Sequence, residues 1–361
     1  MQVRRLRVHN LRCLQEVELA PGPGLNLLVG DNGAGKTSVL EALHLMAYGR
    51  SFRGRVRDGL IRTGAEAVEV FVEWAERASP RIRRSGLRHA GQSWEGRLDG
   101  EAVDQLNSLC AAFVVVSYEP GSPALVTGPA EGRRRYLDWG LFHVEPDFFP
   151  IWRRYSRALK QRNALLKQGG ADRLLDSWDH ELAETGEQLG VRRRRYLDRL
   201  QDSLSPTIAR LAPALGDGVL GYLPGWRAED CSLADALLIS RDRDRLQGYT
   251  SVGPHRADWR LDLAGMPNRE PLSRGQAKLA ALSCLMAQAA DYAGHSGGDW
   301  PVMVFDDLAS ELDPDHRGRV LNHLLDSGAQ VFISGTEPPP GPLADAAVFH
   351  VKHGKVGSAP G

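Results

Sequence analysis

Apolar and polar positions alternate with two different periods along the chain, and each period predicts a different element. The apolar run 24–29 is typical of a buried central strand and leads directly into a glycine-rich loop. After the loop, apolar residues recur at helical spacing from 39 to 46, and Gly49 marks a helix end. Residues 68–74 then alternate with period two, as a half-exposed antiparallel strand does. The first part of the chain therefore predicts a strand, a helix and a small β subdomain.

The middle of the chain has a different pattern. After a strand candidate at 113–116, arginine, leucine and glutamate predominate from about Glu131 to Arg210, with apolar residues at helical spacing. We expect packed amphipathic helices there, too short and too irregular for a long coiled coil. The eight tryptophans of the chain are expected to be core anchors and not base-stacking platforms, including Trp139, Trp152 and Trp178 of this region.

Strand and loop character returns from Tyr249. The elements predicted there are an alternating strand at 259–263, a helix at 275–292, strands at 302–305 and 331–334, and a proline-rich turn at 338–342. The chain shows no internal repeat and no low-complexity tract.

The glycine-rich loop carries the first chemical motif. Between the strand and the helix it fits GxxxxGK[ST] with Gly30, Asp31, Asn32, Gly33, Ala34, Gly35, Lys36 and Thr37. Glycines let several backbone N–H groups face one anion, and the helix adds the positive end of its dipole. We expect Lys36 to reach the outer phosphates of ATP and Thr37 to ligate Mg²⁺. The alternative is a glycine turn that only joins a strand to a helix.

An acidic pair follows the apolar strand 302–305. Asp306 and Asp307 lie at its carboxyl end, where α/β sheets bind ligands. Asp306 is expected to hold Mg²⁺ through water. Asp307 occupies the position where ABC-type ATPases have a glutamate that polarises the attacking water, so its shorter side chain predicts slow turnover, typical of a switch. The alternative is two N-caps at a strand end.

A second helix start precedes the acidic strand. The pattern Leu-Ser-Arg-Gly-Gln at 272–276 resembles the LSGGQ signature of ABC ATPases, with candidate nucleotide-binding residues Ser273, Gly275 and Gln276. In that family the signature closes on the ATP of the opposite subunit, so the resemblance implies that two chains enclose two nucleotides. Asp313, in Ser-Glu-Leu-Asp, resembles a D-loop residue at the dimer seam. For both segments a plain helix cap is the alternative.

The γ-phosphate sensor is left open by the sequence. Many ABC proteins carry a switch histidine after the next strand, where this chain has Ser-Gly-Thr at 334–336. No histidine stands there.

The set of motifs, in order, resembles the bacterial RecF family. The residues that carry the resemblance are LRVHNLRCL, GDNGAGKTSVLEAL, GRSFRGR, ALVTGPAEGRRRYLDW, YTSVGPHRADW, LSRGQAKL and DDLASELD, within residues 1–336. The resemblance implies an ATP-dependent homodimer that binds DNA at gaps and junctions of single strand with duplex. It also implies that RecO and RecR act with this protein to load the RecA recombinase. Departures are SYEP at 117–120 and Arg274 within the signature.

The overall charge of the chain gives little support for DNA binding. Forty-five basic and forty-five acidic residues cancel, so DNA binding requires a local patch. The candidate clusters are Arg50, Arg53, Arg55 and Arg57; Arg133, Arg134 and Arg135; and Arg192 to Arg195. Each could equally be a solvated face. His255, Arg256 and Asp258 could touch nucleotide or DNA, or could form a structural turn.

Composition restricts the setting of the protein. The four cysteines are far apart without a CxxC pair, so neither a zinc site nor a disulfide framework is indicated, which fits a reduced cytoplasm. Neither a secretory signal nor a membrane span is visible, so no membrane association is expected.

We therefore expect an α/β P-loop NTPase of the ABC ATPase-head type, with a small antiparallel β subdomain and an inserted helical lobe. The expected parts are residues 1–117 for the first ATPase lobe, 118–246 for the helical lobe and 247–361 for the completion of the ATPase lobe. The expected function is that of an ATP-gated DNA-binding clamp with weak, DNA-stimulated ATPase activity. The alternatives are an ABC transporter ATPase subunit without DNA affinity, and a nuclease with the same ATPase head, for which too few residues follow the acidic strand.

Overall fold

The computed structural model describes residues 1–53, 59–77, 79–91, 93–169, 172–266, 271–338 and 346–358. Arg55 and Arg57 of the first basic cluster and residues 339–342 of the predicted turn lie outside these ranges. The chain divides into two compact units, the first formed by Met1–Ser122 with Cys284–Gly361 and the second by Pro123–Ser283.

The first unit contains an antiparallel sheet. Its strands are β1 (Gln2–Leu11), β2 (Leu14–Leu19), β4 (Val68–Glu76), β5 (Ser79–His89), β6 (Trp94–Leu98) and β7 (Glu101–Val103), in the order β2-β1-β4-β5-β6-β7. In β4 the residues from Val68 to Trp74 alternate between buried and more exposed positions, which confirms the period-two prediction. Val70 lies opposite Val8 on one side and Leu87 on the other, so one face of the sheet is apolar.

The first unit also contains a mainly parallel sheet. Its strands are β3 (Leu25–Val29), β8 (Val115–Tyr118), β11 (Val302–Phe305), β12 (Val331–Gly335), β13 (Ala347–Lys352) and β14 (Lys355–Ser358), in the order β14-β13-β3-β12-β11-β8. Only β14 pairs antiparallel. Strands β3 and β11 are buried along their whole length, as their apolar runs predicted. The carboxyl ends of β3, β11 and β12 therefore meet at one edge of this sheet.

Helices complete the first unit. They are α1 (Lys36–Tyr48), α2 (Asn107–Ala112), α9 (Leu308–Glu311), α10 (Pro314–Ser327) and the later part of α8 (Arg274–His295). Helix α1 contacts strands of both sheets, and its residues from Val39 to Ala47 are buried. The strand predicted at 113–116 begins two residues later than expected, because Phe113 still bonds to Leu109 as the C-cap of α2.

The second unit is mostly helical. It contains α3 (Ala124–Thr127), α4 (Ala130–Val144), α5 (Phe148–Gln168), α6 (Asp172–Leu211), α7 (Leu233–Gln247), the start of α8, and the hairpin of β9 (Gly218–Leu223) with β10 (Asp258–Leu263). Because β10 pairs with β9, the segment 247–283, expected as part of the ATPase lobe, has its contacts in this unit.

Helix α6 corrects the expectation of short helices. It runs unbroken for 40 residues, although it contains Pro206. Its buried positions follow a spacing of three and four residues: Leu175, Asp179, Leu182, Gly186, Leu189, Arg193, Tyr196 and Leu200. The sequence did not reveal this long seam, because aspartate, glycine and arginine occupy three of its positions.

The expectation for the tryptophans was only partly right. Trp178 is half-buried beside the seam of α6, but Trp152 on α5 keeps 36% of its surface exposed. The fully buried tryptophans of the described residues are Trp74 on β4 and Trp259 on β10.

Candidate nucleotide-binding site

The P-loop joins β3 to α1 in a conformation that glycine makes possible. Gly35 has a φ of 114°, and a Cβ there would come within 2.8 Å of Leu14 Cδ2 and 3.1 Å of Cys13 Sγ. Gly33 also has a positive φ, 79°. Gly35 is the N-cap of α1 and supplies no side chain, so no side-chain cap covers the first turn of the helix. This helix start can present its N–H groups to an anion.

Lys36 lies over the loop that precedes it. Its Nζ donates to the backbone oxygen of Gly30 at 2.6 Å and to that of Asp31 at 2.9 Å. The ammonium group is therefore held next to the glycine-rich backbone, where the outer phosphates of a bound nucleotide would lie.

The carboxyl end of β11 delivers Asp306 to the same place. Phe305 pairs with Ile333 of β12, so the next residues, Asp306 and Ser334, are neighbours at the edge of the sheet. Asp306 Oδ1 accepts hydrogen bonds from Thr37 Oγ1 at 2.9 Å and from Ser334 Oγ at 2.7 Å. The two predicted metal ligands, Thr37 and Asp306, are thus in direct contact.

Asp307 follows with an unusual backbone. Its φ of 55° is left-handed, a conformation that is rare outside glycine and costs of order 1 kcal/mol or more. Its N–H donates to Ser334 Oγ at 2.9 Å, and its Oδ2 accepts from Ser310 Oγ at 2.6 Å. Asp307 does not cap α9 with its side chain, so the N-cap alternative does not explain it.

Ser334 is a residue that the sequence analysis did not assign. Its hydroxyl donates to Asp306 and accepts from the Asp307 N–H, and the side chain is buried. Ser334 therefore holds the Asp306 carboxylate and the Asp307 backbone in place. Its position at the end of β12, where many ABC proteins carry a switch histidine, was the signal that could have identified it.

A cavity of about 210 Å³ opens at this edge of the sheet. Its lining includes Lys36, Thr37, Asp306, Asp307 and Ser334.

Arg53 and Cys13 also line this cavity. From the sequence, Arg53 belongs to a cluster of candidate DNA contacts. Its backbone N–H donates to Ser51 Oγ, which donates in turn to the buried Glu41 on α1. These bonds hold the chain at Arg53 beside the P-loop.

Glu119, from the SYEP departure, is a further carboxylate of this region. It follows β8, which neighbours β11 in the sheet. Burial raises the pKa of Glu119, and the Asp306 carboxylate raises it further, while a hydrogen bond from the Gly121 N–H opposes the shift. Proximity of two carboxylates favours a cation between them or a proton on one.

The residues present fit Mg²⁺. The Thr37 hydroxyl and the Asp306 carboxylate already touch, and Mg²⁺ prefers such oxygen ligands while keeping several waters. The described residues contain no cluster of three or more His, Cys, Asp or Glu side chains suited to a metal. A cation here would therefore depend on phosphate and water for its other ligands.

The signature segment begins α8 in the second unit. Ser273 Oγ accepts from the N–H of Gln276 at 3.3 Å, and Gln276 Oε1 accepts from the N–H of Ser273 at 2.8 Å. This is a capping box, so the local capping alternative is realised. Ser273 and Gly275 are exposed, and a Cβ added at Gly275 would meet nothing within 4 Å. The capped helix start is therefore open to an anion from outside.

Asp313 also caps a helix. Its Oδ1 accepts from the N–H groups of Asp315 and His316 at the start of α10, and its Oδ2 contacts His316 Nδ1 at 2.5 Å. Hydrogen bonds from the backbone N–H and the side chain of His316 lower the pKa of Asp313, and the backbone bond has the larger effect. Both oxygens already have partners within the chain.

Several arginines of the basic clusters are occupied by internal contacts. Arg133 forms two hydrogen bonds with Asp258, at 2.6 and 3.0 Å, and Arg134 donates to the backbone oxygen of Ala257. Arg193 is only 4% exposed and holds Asp138 at 2.8 and 3.0 Å. These internal contacts stabilise the second unit, which is the alternative to a role in DNA binding for these three arginines.

The polar side chains of the Gly-Pro-His-Arg-Ala-Asp-Trp turn, at 253–259, also have partners within the second unit. His255 contacts Tyr155 Oη at 2.7 Å and the backbone oxygen of Thr250 at 2.9 Å. Burial lowers the pKa of His255 to about 4. Arg256 lies 5.1 Å from the ring centroid of Tyr249. Within the second unit, this turn satisfies its own polar groups.

Among the residues that the structure describes, no helix has both the length and the apolar character needed to cross a membrane.

Comparison with known proteins identifies the family. Residues 2–348 match the family described as RecF/RecN/SMC N terminal domain. The chain is 64% identical to the DNA replication and repair protein RecF of Stenotrophomonas maltophilia over 365 residues, which cover 100% of both chains. It is similar to the solved structure of the recombination mediator protein RecF-ATP in the RecFOR pathway, with a TM-score of 0.88 and 26% identity over 99% of this chain and 98% of that one.

A more distant structure shares the fold alone. It is the Smc head bound to the C-winged helix domain of ScpA, with a TM-score of 0.60 and 14% identity over 99% of this chain and 98% of that one. The predicted ABC ATPase-head fold, with its antiparallel sheet and helical lobe, is confirmed. The chain belongs to the RecF family, within the proteins that share the RecF/RecN/SMC N-terminal domain.

Proposed function

We propose that the chain is an ATP-dependent DNA-binding protein of recombinational repair, in which bound ATP joins two copies. The observation that carries the proposal is the convergence of Lys36, Thr37 and Asp306 on one open cavity at the sheet edge. RecF relatives that match the full chain are named for DNA replication and repair, and a RecF structure with ATP shares its fold. They do not favour a transporter ATPase subunit.

Each residue of the site has a role in nucleotide chemistry. ATP supplies a terminal phosphoryl group for transfer to water. Lys36 and the α1 helix start bind the phosphates, and Thr37 and Asp306 hold Mg²⁺. Asp307 orients the water and accepts its proton as general base, with Ser334 as its positioning residue. Arg53 adds positive charge at the cavity wall.

Two copies are joined through the signature helix. Ser273, Gly275 and Gln276 at the exposed start of α8 contact the γ-phosphate bound by the partner copy, and Asp313 lies near that seam. Hydrolysis removes the phosphate that bridges two helix dipoles, so slow turnover acts as a release switch.

The dimer binds DNA at gaps and at junctions of single strand with duplex. We propose that DNA stimulates hydrolysis and that the complex acts with RecR and RecO to load the RecA recombinase. The sequence shows no motif for reading base edges, so we propose that binding selects DNA structure and not sequence, and that its affinity depends on salt.

The test measures mass by light scattering with a non-hydrolysable ATP analogue, with and without gapped duplex. The native chain is expected to double its mass with the analogue, and Ser273→Arg is expected to remain monomeric because the new side chain fills the phosphate site. Ser232→Arg is the matched control, because Ser232 caps α7 of the same unit in the same way. Normal dimerisation of Ser273→Arg contradicts the proposal, as does DNA binding that responds to neither ATP nor salt.

A further inference from the structure

An aromatic cluster lies at the start of α5 in the second unit. The rings of Phe149 and Trp152 are almost parallel, with an interplanar angle of 11° and centroids 6.1 Å apart. Phe142 of α4 meets Phe149 edge to face, with centroids 5.5 Å apart. Trp152 remains 36% exposed. A large ring is therefore supported from behind and still open to solvent.

The helix that carries these rings has an uneven charge. Between Phe148 and Gln168, α5 contains six basic residues and no carboxylate. Arg154 pairs with Glu181 and Glu184, and Arg162 is buried between Asp179 and Asp244.

The remaining basic residues are exposed. Arg153, Arg157, Lys160 and Lys167 all lie on the solvent side of α5. Arg157, Lys160 and Lys167 form no ion pair within 4 Å among the parts of the chain described by the structure. The carboxylates just before the helix are Glu145, which pairs with Arg192, and Asp147 at the N-cap. The solvent side of α5 is therefore positively charged.

Aromatic and basic side chains share one face of this helix. At 100° per residue, Phe149, Trp152, Arg153, Arg157 and Lys160 fall within about 140° of arc, over roughly 16 Å of helix. The buried residues of α5 lie opposite: Phe148, Ile151, Tyr155, Ala158, Arg162 and Leu166. Arg153 lies 5.8 Å from the Phe149 ring centroid, so cation and rings form one surface.

We propose that this face of α5 binds single-stranded DNA, with a base stacked on Trp152 and phosphates along Arg153, Arg157 and Lys160. An exposed ring beside a basic track matches what unpaired strands require, because every base has a stacking face and every nucleotide a negative charge. Bases inside a duplex have no free face for Trp152. The inference rests on the proposed DNA-binding function and assigns its single-strand contact.

The indole has a second interaction that a test must separate from stacking. The Trp152 side chain donates a hydrogen bond to the Asp138 carboxylate, and this carboxylate also pairs with Arg193. Trp152→Phe keeps a ring and loses this bond, whereas Trp152→Ala loses both. Leu238→Ala removes an exposed apolar side chain elsewhere in the unit and is the matched control.

The experiment measures fluorescence anisotropy of a labelled dT20 strand and of a 20-base-pair duplex, using the full chain with the ATP analogue. Trp152→Ala is expected to weaken dT20 binding about tenfold and duplex binding less than about twofold. Trp152→Phe and Leu238→Ala are expected to stay within about threefold of the native chain for both. Arg157→Glu is expected to weaken dT20 binding and to reduce its salt dependence by about one phosphate contact.

The outcomes separate this site from the function on which it rests. Native binding of dT20 that Trp152→Ala leaves unchanged contradicts the site alone and favours a protein partner for this face. An equal loss in Trp152→Ala and Trp152→Phe assigns the effect to the Asp138 bond and also contradicts stacking. Failure of the native chain to bind either DNA contradicts the proposed function and the site together.

Discussion

The two units place their charged groups in opposite ways. In the first unit, Lys36 and Asp306 have backbone or hydroxyl partners on one side and an open cavity on the other. In the second unit, Arg162 and Arg193 are enclosed, with carboxylates as partners. Charged groups of the first unit line an open cavity, whereas those of the second unit are enclosed in its packing. A run of arginines is therefore weak evidence for DNA binding until each residue is placed.

The substitution with the largest expected effect removes a buried ion pair from the second unit. Arg162→Met leaves Asp244 buried without a cation and Asp179 with Arg241 alone, so we expect the free energy of unfolding to fall by about 3–5 kcal/mol. Chemical denaturation followed by circular dichroism measures the change. Arg154→Met on the same helix removes only solvent-screened, exposed ion pairs and should lower the free energy of unfolding far less. Equal losses in the two variants would show that burial does not distinguish these arginines.

The corresponding change in the first unit should act on chemistry and leave folding intact. Lys36→Ala removes the ammonium group at the P-loop, and we expect ATP hydrolysis to fall on the order of 10²–10³-fold. Its unfolding midpoint should remain close to that of the native chain. Phosphate release gives the rate, and a variant that hydrolyses ATP within about threefold of the native rate would remove Lys36 from the site.

Ser334→Ala sharpens the comparison within the first unit. Loss of the hydroxyl frees the Asp306 carboxylate and the Asp307 N–H, so we expect about a tenfold lower single-turnover rate with little change in ATP affinity. Ser310→Ala is the control: it loses the exposed hydrogen bonds from Ser310 Oγ to the side chain and the backbone oxygen of Asp307, and its single-turnover rate should fall less. If ATP affinity falls in parallel with the rate, Ser334 acts in binding and does not position Asp307.

The smallest expected effect concerns pH. Burial lowers the pKa of His44 to about 3, of His143 to about 3 and of His255 to about 4, from the ordinary 6.5. As the pH falls, the unfolded chain therefore takes up protons at these histidines before the folded chain does. Their contribution to the free energy of unfolding is complete above pH 6.5 and is lost as the pH drops toward 4.

A single variant isolates one of these protons. His255→Gln should reduce the slope of unfolding free energy against pH by about 1.4 kcal/mol per unit between pH 6 and 4.5. Denaturation at several pH values measures the slope. The exposed His180→Gln is the control. An unchanged slope in His255→Gln would mean that His255 is not held neutral.

The sequence predicted what depends on local order. The strand, loop and helix around Lys36 and the acidic strand end at Asp306 follow from short patterns, and the structure brings them together because β3 and β11 are parallel strands of one sheet. Ser334 was missed because its role depends on the register of β12 beside β11.

The second unit was harder to predict. Its long helix α6 was hidden because buried polar or small residues interrupt the apolar seam at Asp179, Gly186 and Arg193. Their partners are distant in sequence: Asp179 pairs with Arg162, Arg193 pairs with Asp138, and Gly186 leaves room for Tyr155. Such pairings between distant residues cannot be recognised from periodicity alone.

The central claim is that each nucleotide is held by two copies of the chain, and mixing two inactive variants tests it most directly. A dimer of Lys36→Ala with Ser273→Arg has one intact site, formed by Lys36 of one copy and Ser273 of the other. Mixing equal amounts should restore hydrolysis to at most about half of the native rate, since each mixed dimer has one intact site out of two. A mixture that hydrolyses ATP no faster than the two variants measured separately would contradict the claim.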